Sequence, residues 1–307
     1  PKILGVKFDP LLTFSDHTKD LAKGASERLK VIKALAGTSW GQDTETLLLT
    51  YKVLVRTKLD YGAPVWSPNA SSSSIRRLQS VQNAGLRLVT GCHKMASENH
   101  LHSEAKMLPV GNHLDMLSAQ YLASALRPDH PAHEPVCRPA RRRAKKKTLQ
   151  SRHLVDIAPL LVDGVMPNQA YPAAKNSIHT RFVSDAISAQ GNHPLLNRPA
   201  HTIKRTEKTL PRHYRSTLSQ LRSGHCASLE AYRHRVGRAD TPACPQCKAG
   251  DQDVAHLFDC AAIPTNLSID DLWLRPRSVA TFISSHPSFT LPPLDPPPLR
   301  PPPEPPP

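Results

Sequence analysis

The sequence predicts a mainly α-helical protein: a helical bundle with a short β element at its N-terminus, then a basic linker, a small cysteine- and histidine-bearing module and a disordered proline-rich tail. Three observations predict it. Apolar residues recur at helical spacing through the first 130 or so residues. Three cysteines and one histidine fall between Cys244 and Cys260 in a chain with only six cysteines. From Pro287 onward, twelve of twenty-one residues are proline, a composition that leaves the chain extended or disordered.

The N-terminal "PKILGVKF" alternates well enough for a strand. In "TFSDHTKDLAKGASERLKVIKALAG", Leu21, Ala25, Leu29, Ile32 and Leu35 form one helical stripe, which Gly37 ends. A second helix follows in "DTETLLLTYKVLVRTKLDYG", where Leu47, Leu48, Tyr51, Leu54, Val55 and Leu59 line one side and the stretch from Asp60 to Pro64 breaks the pattern. A third runs from about Ile75 to Thr90, with Ile75, Leu78, Val81, Leu86 and Val89 inward and Arg76, Arg77 and Arg87 available outside. A shorter fourth lies near Leu114 to Leu126. Such stripes build a core and carry no chemistry by themselves.

The spacing C-x2-C-x8-H-x3-C of Cys244, Cys247, His256 and Cys260 suits a tetrahedral ion. Pro245 and Gln246 between the first two cysteines allow a tight turn that aims both sulfurs at one point. His256 and Cys260 are four apart and share a helix face, while Leu257 and Phe258 point elsewhere and can pack. Thiolate and imidazole ligands favour zinc over magnesium or calcium. Four protein ligands leave no open position for substrate or water, so the zinc is structural. The alternative is four uncoordinated residues with the cysteines buried as small hydrophobes. A disulfide framework belongs instead to short, cysteine-dense secreted chains.

Forty Lys and Arg against 25 Asp and Glu leave a net charge of +15, and the pI is near 9.8, which points to a polyanionic partner such as RNA or DNA. The charge is clustered. "RPARRRAKKK" places Arg138, Arg141, Arg142, Arg143, Lys145, Lys146 and Lys147 in ten residues with no acid; such a run is an exposed arm that binds phosphates or serves as a nuclear import signal. "RHYRSTLSQLRSGHCASLEAYRHRVGR" adds six arginines and one acid, Glu230, in two short helices split at Gly224. Its Arg215, Arg222, Arg233 and Arg235 would border the metal module as one basic face, with Tyr214 and Tyr232 as the side chains on which unpaired bases could stack. His100 and His102, two apart in "NHLHSEA", read as surface or capping residues. "PPLRPPP" in the tail fits an SH3-type partner. No apolar stretch reaches the roughly 20 residues needed to span a bilayer, and no signal-peptide pattern opens the chain. Lacking an initiator Met, it reads as an internal piece of something longer, working inside the cell in the nucleus or cytoplasm.

"LLLTYKVLVRTKLDYGAPVWSPNASSSSIRRLQSVQNAGLRLVTG" resembles the region after the polymerase palm in reverse transcriptases of non-LTR retrotransposons of the LINE, jockey-like type. There a "Y-G-x-x-x-W" turn and an "L-x-x-x-Q-x-x-x-L-R-x-x-x-G" helix recur, matched here by Tyr61, Gly62, Trp66, Leu78, Gln82, Leu86, Arg87 and Gly91. "ILGVKFDPLLTFSDH" resembles the end of the palm. The resemblance covers roughly residues 1–130 and 210–285 and implies a palm edge at 1–12, a helical thumb-like domain at 13–130 and arginine-rich helices with the zinc module at 210–285, while composition sets off a basic, largely irregular linker at 131–209 and the proline-rich tail at 286–307.

Polymerases of that family hold two magnesium ions on palm carboxylates that usually include an aromatic-x-Asp-Asp turn. This sequence has no such turn. Its one adjacent acidic pair, Asp270 and Asp271 in "LSIDDLW", suits, with Ser268, the N-terminus of a helix. Phosphate-loop, nucleophile-elbow and H-E-x-x-H patterns are absent from the sequence as well. The expected role is to grip template and primer, or element RNA and target DNA, without catalytic residues of its own; whether the piece counts as enzyme depends on its parent. A zinc-containing protein-interaction module is the other reading.

Overall fold

The computed structural model describes residues 1–37, 41–137, 153–154, 157–292 and 294. The basic arm from Arg138 to Lys147 and residues 295–307 of the tail lie outside the described residues. The chain divides into two compact units. The first comprises Pro1–Ala36, Thr46–Val89 and Leu101–Gly191, the second Gly37–Glu45, Thr90–His100 and Asn192–Pro307. Helices dominate both, and the one sheet among the described residues is a two-stranded hairpin, so the mainly α class holds. None of the described helices is long and apolar enough to cross a membrane.

The N-terminal segment expected as one strand is two: β1 (Lys2–Ile3) pairs antiparallel with β2 (Val6–Lys7), Ile3 opposite Val6. The reversal puts Leu4 (φ 44°) and Gly5 (φ 85°) in the left-handed region, as a tight two-residue hairpin turn requires. Tyr61 donates its hydroxyl to the Leu4 carbonyl at 2.8 Å, and a Cβ on Gly5 would stand 3.1 Å from the Tyr61 ring. Trp66, fully buried, donates its indole N–H to the Tyr61 carbonyl at 2.9 Å.

Helix α1 (Ser15–Leu35) buries His17, Thr18, Leu21, Ala22, Ala25, Leu29 and Ile32. The second predicted helix spans Thr44 to Asp60 but is not uniform: α2 (Thr44–Tyr51) passes through a π turn (Lys52–Arg56) into α3 (Thr57–Asp60). Its fully buried residues are Leu47, Tyr51, Val55 and Leu59, spaced four apart. Four exceeds the 3.6 residues of an α turn, and the wider π turn takes up the lag. The same turn carries Arg56 inward, where it donates to the Gln82 side-chain carbonyl and lies 3.2 Å from Asp60. Burial pulls the Arg56 pKa down, with Asp60 opposing.

After α4 (Ala63–Trp66), α5 (Ser72–Thr90) turns Leu78, Val81, Leu86 and Val89 into the core as predicted. Gly85 allows close approach, since a Cβ there would fall 2.4 Å from the Tyr51 ring. Helices α6 (Glu98–Ala105) and α7 (Val110–Ala125) follow. His102 is not a surface residue: it is 3% exposed and its ring joins Gln79 Nε2 (2.9 Å) to the Met107 carbonyl (3.0 Å). His100 is likewise buried, hydrogen-bonded to the Ser219 carbonyl at 3.0 Å. Two-residue spacing does not place both on one helix face, but each histidine finds its own backbone carbonyl.

Beyond the short α8 (His133–Cys137), the stretch expected to be largely irregular holds an eighteen-residue helix, α9 (Tyr171–Ser188). Its Ala174 and Ile178 pack with Met116, Ala119, Leu122 and Ala123 of α7, and Phe182 lies against this cluster. One narrow stripe on an otherwise polar helix leaves little periodic signal.

In the second unit α10 (Arg212–Arg222) and α11 (Glu230–Arg235) are split at Gly224 (φ 71°) as expected. Helices α12 (Val254–Asp259), α13 (Asp271–Leu274) and α14 (Pro276–Ser285) complete it. Tyr214, Leu218, Leu221, Leu257, Phe258, Trp273, Val279 and Ile283 form its core. Asp271 meets the capping expectation by accepting from the Ser268 N–H at 2.8 Å, the returning half of a capping box. Asp270 makes no cap; it pairs instead with Arg198 (2.5 Å) and His201 (2.8 Å).

Candidate metal centre

Three local devices assemble the cysteines and the histidine. Cys244 opens a turn that the Lys248 N–H closes on the Cys244 carbonyl at 2.9 Å, and the chain reverses at Lys248, whose φ is 56°. The strands of this knuckle are tied by an antiparallel bridge between Ala243 and Asp251 and by the Cys244 N–H donating to the Gly250 carbonyl at 2.8 Å. Asp253 is the N-cap of α12, its carboxylate accepting from the His256 N–H at 2.8 Å. That bond places His256 in the first turn, and Leu257 and Phe258 beside it enter the core, as their position between two ligands predicts. Cys260 caps α12 rather than lying within it, in extended backbone (φ −68°, ψ 117°).

The four ligand atoms of Cys244, Cys247, His256 and Cys260 all lie within 4.8 Å of one another. The Cys244 and Cys260 sulfurs are 3.9 Å apart, and the Cys247 sulfur is 3.2 Å from His256 Nε2. A tetrahedron with metal–sulfur bonds of about 2.3 Å has sulfur–sulfur edges of about 3.8 Å, so the observed separations fit a four-coordinate ion. The Ala249 N–H points at the Cys247 sulfur at 3.4 Å and holds that thiol's pKa below its usual value, which favours the thiolate a metal needs. Burial pushes the Cys260 thiol the other way. Cys244 and Cys260 are buried, while Cys247 and His256 are partly open.

The predicted nucleic-acid contacts separate into groups. Arg76 and Arg77 are exposed on α5, and Arg87 is half-buried. Arg233 and Arg235 are exposed on α11, Arg233 pairing with Glu230. Arg215 is mostly covered and pairs with Glu45. Arg222 is not a surface cation: its side chain is fully buried, pairs with Glu207 and donates to the Leu272 carbonyl at 3.0 Å. It sits on the same face as Leu218 and Leu221, where an arginine can only be an internal strut. Both proposed stacking residues are buried too. Tyr214 is 0% exposed and donates to the Pro292 carbonyl at 2.6 Å, and Tyr232 is 4% exposed with its hydroxyl on the His93 ring. Their rings belong to the core and leave no face for a base. Lys94, exposed and outside any basic run, carried no local signal, and Arg238, the last arginine of the stretch that begins at Arg212, is exposed as well.

No protein family's sequence profile matches the chain, nor does any solved structure. Two curated proteins of Drosophila melanogaster are similar to it. One is the probable RNA-directed DNA polymerase from transposon X-element, 30% identical over 140 residues, which is 42% of this chain. The other is the probable RNA-directed DNA polymerase from transposon BS, 26% identical over 148 residues, 48% of this chain. The matched stretches span 15% and 16% of those relatives' own lengths. The chain is thus similar, over less than half of its length, to the RNA-directed DNA polymerases of two transposons.

Proposed function

We propose that this chain is a nucleic-acid-gripping part of a non-LTR retrotransposon reverse transcriptase, holding template and primer, or element RNA and target DNA, while catalysis belongs to another region of the polymerase. It would work inside the cell, in the nucleus or cytoplasm. The observation that carries the reading is the cluster of four ligand atoms within 4.8 Å in a chain of net charge +15. Zinc is the ion that three thiolates and an imidazole select, and with all four positions taken by protein it serves the fold. The arginines that remain exposed, Arg76 and Arg77 in the first unit and Arg233 and Arg235 in the second, supply phosphate contacts and hence sequence-independent affinity.

The test begins with two measurements on the purified chain. Metal analysis is expected to give one zinc per chain, lost on Cys247→Ser. Titration with single- and double-stranded oligonucleotides is expected to show binding that weakens steeply with salt. Zinc-free protein of full stability, or binding insensitive to salt, overturns the respective half of the reading. Primer extension with magnesium and all four nucleotides is expected to give no incorporation by this chain alone, and template-dependent incorporation would refute the division of labour.

A further inference from the structure

Lys94, Arg235 and Arg238 are exposed, and none of them pairs with a carboxylate among the described residues. They stand around a cluster of rings. Tyr232 is met edge-on by His93, centroid to centroid 5.0 Å, and by His225 at 5.7 Å, and the Arg235 guanidinium lies 6.0 Å from the Tyr232 ring. The Tyr232 hydroxyl is hydrogen-bonded to His93 at 2.6 Å, which fixes that imidazole. Burial, followed by His225, Lys94 and Arg238, holds the His93 pKa down; every charged group acting on it is basic. Glu230, the acid nearest in sequence on α11, is already engaged by Arg233.

Basic side chains from three separate stretches, Lys94, His225 and Arg235 with Arg238, thus gather around the His93 and Tyr232 rings, and among the described residues the three cations of this group pair with no carboxylate. Like charges held together raise the energy of the free protein, and an anion seated among them turns repulsion into attraction. Segments far apart in sequence are held in place here. Gly91 (φ 73°), just before His93, fits against Ser216 with no room for a Cβ, which would fall 2.2 Å from Ser216 Oγ, and Gln220 donates to the Gly91 carbonyl at 3.0 Å.

We propose that Lys94, His225, Arg235 and Arg238, arranged around Tyr232 and His93, form a seat for a backbone phosphate of a single nucleic-acid strand. The inference rests on the nucleic-acid reading above and names the residues through which the second unit takes the strand. The rings orient the cations and are not themselves the binding surface, since Tyr232 is buried.

The test titrates the full chain with a fluorescent single-stranded oligonucleotide at several salt concentrations. In the Lys94→Ala/Arg238→Ala variant the slope of log affinity against log salt is expected to flatten by about 0.7, the value for one phosphate contact on a single strand. The Lys94→Arg/Arg238→Lys variant is expected to keep the wild-type slope. A control, Lys19→Ala/Lys30→Ala, removes two exposed lysines that pair with Asp16 and Glu27 and is expected to leave the slope unchanged. The His93 and His225 ring resonances are expected to shift when the oligonucleotide is added, a readout that needs no variant. Wild-type protein without salt-dependent binding defeats the nucleic-acid reading and this seat with it. Wild-type binding with an unchanged slope in the double alanine variant and silent histidine resonances defeats the seat alone. Equal flattening in the lysine control replaces the seat with a diffuse polycation.

Discussion

The side-chain carbonyl of Gln252 accepts the backbone N–H of Glu230 at 3.1 Å, while its backbone carbonyl accepts the next N–H, that of Ala231, at 3.2 Å. The residue at the N-cap of α11 is Leu229, which has no side-chain acceptor to offer. Gln252, one residue from the N-cap Asp253, supplies the missing cap from the metal module. Its amide also donates to Ser288 Oγ at 2.7 Å, so one buried side chain ties three segments together.

Gln252→Ala is expected to leave the Glu230 N–H without its partner and to cost about 1–3 kcal/mol. Chemical denaturation of the second unit measures it, with zinc content retained near neutral pH. An unchanged midpoint would show that water caps α11 equally well.

Cys247→Ser is expected to abolish metal binding. Zinc in small modules contributes about 10–16 kcal/mol and is coupled to folding, so amide exchange should become fast from 244 to 260 and, through Gln252, across α11. Helices α1, α5 and α7 belong to the first unit and are expected to keep their protection. Loss of protection confined to the ligand loop would break the proposed link to α11.

Arg222→Ala is expected to destabilise the protein by about 3–5 kcal/mol, because it strands the buried Glu207 carboxylate. Arg222→Met combined with Glu207→Leu removes both charges and is expected to recover most of that loss. The salt slope of nucleic-acid binding should be the same in the folded double variant as in wild type. A flattened slope would return Arg222 to the list of phosphate contacts.

Asp271 carries a pH dependence. The Arg275 guanidinium, then the Ser268 N–H and hydroxyl, hold its carboxyl below the ordinary value near 3.8. A lowered folded-state pKa means the stabilisation is complete above the unfolded value and is lost as pH falls through the folded one. Stability is therefore expected to be flat near neutrality and to decline below about pH 4. Asp271→Asn should lower stability at pH 7 and flatten that acid limb, as followed by thermal melts across pH 2–7. Parallel acid limbs in the two proteins would exclude Asp271 as their source.

Much of the first unit was legible because its stripes are wide. The motif residues acquire physical reasons: Tyr61 holds the hairpin, Trp66 fills the core, Gln82 joins Arg56 to the Leu108 carbonyl (2.9 Å) and Gly91 fits where a Cβ cannot. The clustering of Cys244, Cys247, His256 and Cys260 was legible too, since the four come from one short stretch and spacing alone brings them together. What escaped depends on distant partners. Arg222 looks like any other arginine of its helix until Glu207 and Leu272 are placed against it. Lys94 and Arg238 lie 144 residues apart, and no local pattern announces that they share a neighbourhood. Helix α9 was missed because its apolar stripe is a single row, Ala174, Ile178 and Phe182.

The π turn between Lys52 and Arg56 also works as slack. It holds one residue more than a regular helix needs, so the chain can lose a residue there by tightening into an α turn. The same deletion inside α5 would rotate everything beyond it by about 100° and swing Leu86 and Val89 out of the core. Length variation along this part of the chain should therefore concentrate at 52–56, and a variant shortened there would lose the inward placement of Arg56 before it lost the helix.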